Sequence, residues 1–275
     1  MIKDLVVNLA VGATRDVAAD YAVSIAAAFD AHIAGMAFAY EPVLPPSVMG
    51  GIPAELIESQ RRDSEKAAAD AIARFEDAAR RNGLSAESRM MSASFAGASD
   101  LFGHVARRFD LSVVGQAEPD KVSPEDLIIE AALFGSGRPV VVVPYIQREG
   151  LKLDRVMVCW DASRNVVRAI ADAMPLLVRA KAIDVVIVAS DEVKGRELPG
   201  ADIAQHLARH GLRVEVKRIV SSVDVANTLL SHAADSSSDV MVMGGYGHSR
   251  LREFILGGVT RGILTSMTVP VLMSH

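Results

Sequence analysis

The chain repeats itself. Ser112-Val113-Val114-Gly115 is answered by Val240-Met241-Val242-Met243-Gly244, and the valine run at 138–144 by the apolar run at 269–273, at offsets of 129 and 131 residues. Each element is a short, continuous apolar run that stops at glycine or is bounded by proline. Such a run reads as a strand buried on both faces. Repetition at a fixed distance, with helix-like stretches between, restricts the chain to two copies of one alternating strand–helix unit. Repeats this long and this few are not those of a solenoid.

In the first copy, strands are expected at 5–9, 33–40, 85–91, 111–114 and 139–143, with helices at 18–29, 53–82 and 99–108. The long central helix starts at Pro53, a residue suited to a first turn, and stops at Asn82-Gly83. Leu56, Ala67, Ala71, Phe75 and Ala78 are its expected core contacts, and Glu58 and Arg62 form an i,i+4 pair. In the second copy, strands are expected at 156–160, 183–189, 214–219, 240–243 and 269–273, with helices at 166–180, 203–210 and 225–234. The polar stretch 147–154 links the copies, giving domains 1–147 and 152–275. Strands alternating with helices specify an α/β fold with a parallel sheet covered on both faces.

Composition narrows the function classes. A net charge of −5 and a pI near 5.8 argue against a nucleic-acid-binding surface. No apolar run reaches the roughly 20 residues of a membrane helix. Cys159 is the sole cysteine, so an internal disulfide is impossible, which fits a reducing compartment. The chain opens directly on a strand pattern carrying Asp4, without a cationic leader, so a cytoplasmic location is expected.

The chemistry is concentrated near residue 250. The strand at 240–243 runs into Gly244, Gly245 and Gly247; Gly257 and Gly258 follow, and Val259 and Thr260 open a helix-like stretch. Two glycine corners before a helix start make an anion cradle, because backbone N–H groups and the positive helix end face the same point. Gly244-x2-Gly247-x9-Gly257 resembles the phosphate-loop signature of the universal stress proteins, Gly-x2-Gly-x9-Gly-Ser/Thr. Gly258 stands in the Ser/Thr slot, and Thr260 matches a second hydroxyl position of nucleotide-binding members.

The resemblance implies two tandem flavodoxin-like (Rossmann-like) five-strand parallel-sheet sandwiches, packed as an intrachain pseudo-dimer through the strands at 140–143 and 269–273. It implies ATP, or ADP or AMP, bound in the second copy as a regulatory ligand, with magnesium bridging phosphates. The site would comprise Asp161 and Ser163 after the copy's first strand, and Met243, Gly244, Gly247, His248 and Ser249 at and beyond its fourth. Gly257, Gly258, Val259 and Thr260 would complete it. The implied role is a cytoplasmic stress-response protein with protein partners and a possible homodimer. Two alternatives stay open: an interaction scaffold of the same fold without nucleotide, and a slow ATPase.

The first copy lacks this equipment. Ala10 stands where Asp161 does and Gly12 where Ser163 does, and Gly115-Gln116-Ala117-Glu118 puts an acid where phosphate would approach. No catalytic constellation emerges: there is no Gly-x-Ser-x-Gly elbow and no Gly-x-Gly-x-x-Gly after either first strand. Cys159 reads as a small buried hydrophobe. Arg250, Arg252 and Arg261 read as surface ion-pair partners. His206 and His210 have the i,i+4 spacing of a helical zinc pair, but no further ligand cluster accompanies them, so a solvated helix face is the expectation.

Overall fold

The computed structural model describes residues 1–41, 53–118, 124–189, 200–221, 224–245 and 258–275. It falls into two compact units, Met1–Arg138 and Pro139–His275.

The first unit contains β1 (Asp4–Asn8), α1 (Val17–Phe29), β2 (His32–Tyr40), α2 (Ala54–Arg81), β3 (Ala86–Ala93), α3 (Phe95–Ala106), β4 (Leu111–Gly115) and α4 (Glu125–Glu130). A π-helical turn, Ala131–Gly135, continues α4. Its strands lie in the order β3-β2-β1-β4, and the pairs of β1 with β2 and β4, and of β2 with β3, are parallel. The helix near 125–130 was not foreseen from the sequence, where six residues carry too little periodicity to register.

Helix α1 is capped by Asp16, whose Oδ1 accepts from Ala19 N at 2.9 Å. Helix α2 ends where Asn82 Nδ2 donates to the Ala78 carbonyl at 2.9 Å. Its buried stripe is Ala68, Ala71, Phe75, Ala78 and Ala79. Two expected core contacts therefore fail: Leu56 is 51% exposed, and Ala67 is only half-buried. The stripe that meets the sheet is confined to the later turns of the helix, and Ala68, not Ala67, lies three residues before Ala71 on that face. On the outer face Arg61 Nε pairs with Glu65 Oε1 at 3.0 Å.

The second unit contains β5 (Val140–Val143), β6 (Arg155–Cys159), α5 (Arg164–Leu177), β7 (Ala182–Ala189), α6 (Ala201–Arg209), β8 (Val214–Val220), α7 (Val225–Asp235), β9 (Val240–Gly244), α8 (Gly258–Ser266) and β10 (Val271–Ser274). The order is β5-β10-β9-β6-β7-β8. The pairs from β10 through to β8 are parallel, while β5 pairs antiparallel with β10, Val141 opposite Leu272. The pairing of the two last strands expected from the sequence is therefore present. It carries β5 into the second unit, away from the copy whose sequence it closes. All four valines of β5 are buried, each contributing roughly 1.5–3 kcal/mol relative to exposure.

Burial follows position in the sheet. Strands β6, β9 and β10 are buried almost throughout, as continuous apolar runs require. The edge strand β8, Val-Glu-Val-Lys-Arg-Ile-Val, is half-buried to exposed along its length and carries charge, which discourages pairing with another chain. Asp184 is the polar exception in β7: its carboxylate is 2% exposed and meets Arg155 Nη1 at 2.9 Å.

The repeat extends to a polar clamp absent from the apolar pattern. Asp110 Oδ2 accepts from Lys3 N at 2.8 Å and Asp4 N at 3.2 Å, just before β4, and so fixes the start of β1. Asp239 Oδ2 accepts from Arg155 N at 2.9 Å, just before β9, and fixes the start of β6 in the same manner.

Candidate functional site

The carboxyl ends of β6 and β9 are adjacent, since Val156, Met157 and Val158 pair with Val240, Met241 and Val242. In an open α/β sheet this edge is where ligands sit. After β6 the chain turns through Trp160, Asp161 and Ala162 into α5. Ala162 has φ of 60°, a left-handed conformation uncommon for alanine that marks a tightly determined turn. Asp161 is exposed, and its Oδ1 accepts from Ser163 N at 2.9 Å. Ser163 caps α5, its Oγ accepting from Val166 N at 3.2 Å.

Strand β9 ends against that cap. A Cβ on Gly244 would stand 2.6 Å from Val166 N and 2.8 Å from the Asn165 carbonyl carbon. No side chain fits there without moving backbone, so glycine at this position is what lets β9 meet the first turn of α5. Asn165 completes the junction: its Nδ2 donates to the Gly245 carbonyl at 2.6 Å. Ring atom Nδ1 of His275 lies 3.0 Å from Asn165 Nδ2 and 3.1 Å from the Gly245 oxygen. That nitrogen accepts from Asn165 only when bare and donates to Gly245 only when protonated, so it makes one of these bonds at a time. Gly245 N donates to the Ser274 carbonyl at 2.8 Å, and Ser274 Oγ donates to Asp172 Oδ2 at 2.9 Å.

Of the residues expected from sequence, Asp161, Ser163 and Gly244 gather at this edge. Met243 is buried in β9. Gly258 opens α8 with nothing within 4 Å of a would-be Cβ. Val259 is half-buried, and Thr260 is buried, 4% exposed. Gly247, His248, Ser249 and Gly257 lie outside the described residues, as do Arg250 and Arg252. Gly245 belongs to the expected glycine corner, whereas Asn165 and His275 are absent from the sequence-based set. The 80 and 110 residues that separate Asn165 from Gly245 and His275 leave no local spacing to detect.

Beneath the edge, Cys159 is buried, and burial pushes its thiol pKa far up, with Asp161 adding to the shift. A thiol held protonated there is neither nucleophile nor metal ligand. Among the described residues no group of three or more His, Cys, Asp or Glu side chains could hold a metal ion. No helix among them is long and apolar enough to cross a membrane.

The corresponding edge of the first unit is built differently. Asp16 Oδ2 accepts from Ala10 N at 2.7 Å, so the loop after β1 is closed by the helix cap itself. Burial, the largest influence, raises the Asp16 pKa against the lowering effect of these amide bonds. A Cβ on Gly115 would meet only Ala18 Cβ, at 3.8 Å. Strand β4 thus does not press on a helix start as β9 does. Gln116 follows, buried.

Residues 152–275 match the model of the universal stress protein family. A universal stress protein of Synechocystis is 32% identical over 66 residues, which take in 24% of this chain and 22% of that protein. Among solved structures, a universal stress protein from Archaeoglobus fulgidus covers 98% of this chain and 97% of its own at 16% identity, with a TM-score of 0.73. A protein of unknown function from Pseudomonas aeruginosa covers 99% of this chain and 92% of its own at 14% identity, with a TM-score of 0.62. The similarity along the whole chain is one of fold, and the family match lies in the second unit, in the residues that build the β6–β9 edge.

Proposed function

We propose that this chain is a tandem universal stress protein that binds an adenine nucleotide at the β6–β9 edge of its C-terminal domain, 152–275. ATP is the leading ligand, with ADP and AMP as alternatives, and the nucleotide acts as a regulatory ligand. The carrying observation is the junction at Gly244, where the missing side chain brings the end of β9 onto the first turn of α5. It sets Asp161, the α5 cap and the start of the glycine loop around one point. Asp161 would accept from ribose hydroxyls or the base amine. Backbone amides following Gly244 would face the phosphates, with Gly247, His248, Ser249, Gly257, Gly258, Val259 and Thr260 completing the cradle. Magnesium would bridge phosphate oxygens. The family match over 152–275 supports this reading.

The N-terminal domain, 1–147, would serve as a structural or partner domain, since Asp16 already occupies the amide of Ala10. A cytoplasmic stress-response role, protein partners and a homodimer belong to the same proposal. A second reading, a scaffold without nucleotide, is favoured by Gly258, which leaves open space where the family signature carries a hydroxyl.

The two readings part on titration of the full chain with ATP, ADP and AMP in the presence of magnesium. Trp160, the single tryptophan, adjoins Asp161 and reports by its fluorescence. The nucleotide reading predicts saturable binding, strengthened in Gly258→Ser. No binding of any of the three, in either protein, leaves the scaffold.

A further inference from the structure

Helix α6 carries His206 and His210 one turn apart. Their ring centroids stand 4.9 Å apart, with the rings inclined at 67°. Both residues are exposed, while Ile203 and Leu207 of the same helix are buried. The helix therefore holds the two imidazoles on its solvent side by anchoring its other face. Two other imidazoles lie against polar partners: His32 Nδ1 is 2.8 Å from Asp4 Oδ1, and His275 Nδ1 is within hydrogen-bond distance of Asn165 Nδ2 and the Gly245 oxygen. Among the described residues, His206 and His210 have only each other.

We infer that His206 and His210 form a two-imidazole clamp for a late divalent transition metal: Cu²⁺, Ni²⁺ or Zn²⁺. Two histidines at i and i+4 are the spacing with which a single helix presents both nitrogens to one metal ion. The rings already face one another edge to face, and both side chains are exposed, so closing them on an ion requires rotation about side-chain bonds alone. Imidazole selects copper, nickel and zinc over magnesium and calcium, with copper bound most strongly. The clamp also sits at the end of α6, where His206 lies in the last turn and His210 is the C-cap. The helix dipole places its negative end there, which favours a cation. No third protein ligand joins the pair among the described residues. Water fills the remaining positions, and the site exchanges its metal readily, unlike a closed structural zinc site. This is independent of the nucleotide reading, which rests on different residues.

The test uses untagged full-length chain, titrated calorimetrically with Cu²⁺ and followed by electron paramagnetic resonance. Wild type should take up a copper ion with two-nitrogen hyperfine structure. Because the second imidazole binds intramolecularly, His206→Ala or His210→Ala should each weaken the site by about a hundredfold. His32→Ala should leave it unchanged. Zn²⁺ should raise the unfolding temperature of wild type and of neither single variant, because the clamp bridges one turn of α6. The inference is overturned if either single variant keeps wild-type affinity, since lone imidazoles then bind the ion. It is equally overturned if millimolar Cu²⁺ gives no two-nitrogen signal in the wild type.

Discussion

Asn165 and Gly245 lie 80 residues apart in sequence and are joined by a 2.6 Å hydrogen bond from Nδ2 of the first to the carbonyl of the second. The bond ties the first turn of α5 to the residue where the chain leaves β9, at the point from which the glycine loop departs. Asn165→Ala should lower the stability of the second unit by about 1 kcal/mol, the usual net value of such a bond. Asn165→Asp should be no better than alanine, because a carboxylate cannot donate to the Gly245 oxygen and two acceptors would face each other. Urea unfolding of the three proteins checks this. A fully stable Asp variant would show that residue 165 matters by shape and not by donation.

The glycines at the ends of β4 and β9 should differ sharply on substitution. At Gly244 a Cβ would stand 2.6 Å from Val166 N, which is backbone and cannot swing aside. Gly244→Ala should therefore cost about 1–3 kcal/mol, the range for forcing atoms into a packed site. Gly115→Ala places its methyl 3.8 Å from Ala18 Cβ, an ordinary contact, and should change stability by less than about 0.5 kcal/mol. Equal losses at the two positions, measured by denaturant unfolding, would contradict the asymmetry between the units.

That asymmetry was partly legible in the sequence. Continuous apolar runs ending at Gly115 and Gly244 located both strands, because a doubly buried strand leaves no polar residue to hide its pattern. The pairing of β5 with β10 was implied by the family resemblance and not by the apolar pattern, which marks a buried strand without naming its partner. The paired aspartates were not: Asp110 and Asp239 clamp the starts of β1 and β6 from the residues before β4 and β9. A carboxylate beside a turn carries no sign of which distant amide it will meet. The stripe of α2 was misplaced by one residue at Ala67, since in an alanine-rich charged helix small shifts in phase cost the pattern little. Asp161 and Ser163 were visible as a strand-end acid and a helix cap. Asn165 and His275 were invisible, because what brings them together is the β6–β9 and β9–β10 pairing and not any spacing along the chain.

Cys159 should be silent to thiol reagents in the folded protein. It is buried in β6, and burial raises its pKa, so at pH 8 the reactive thiolate is scarcely populated. Labelling should therefore wait for unfolding, and its rate in dilute urea should follow the opening of the second unit. Rapid stoichiometric labelling of native protein would place the thiol near solvent and contradict the packing at the end of β6.

The central claim is that the second unit, at the β6–β9 edge, holds a nucleotide. Its most direct test is thermal unfolding of wild type and Asp161→Ala, each with and without millimolar ATP and magnesium. Comparing the ligand-induced shift within each protein removes the stability that the variant loses with the Ser163 bond. A ligand at a hundred times its dissociation constant stabilises the native state by about 2.7 kcal/mol. The account predicts a clear upward shift for wild type that is lost or much reduced in Asp161→Ala. A shift of equal size in both proteins would move the nucleotide away from the β6–β9 edge, and no shift in wild type with ATP, ADP or AMP would contradict nucleotide binding itself.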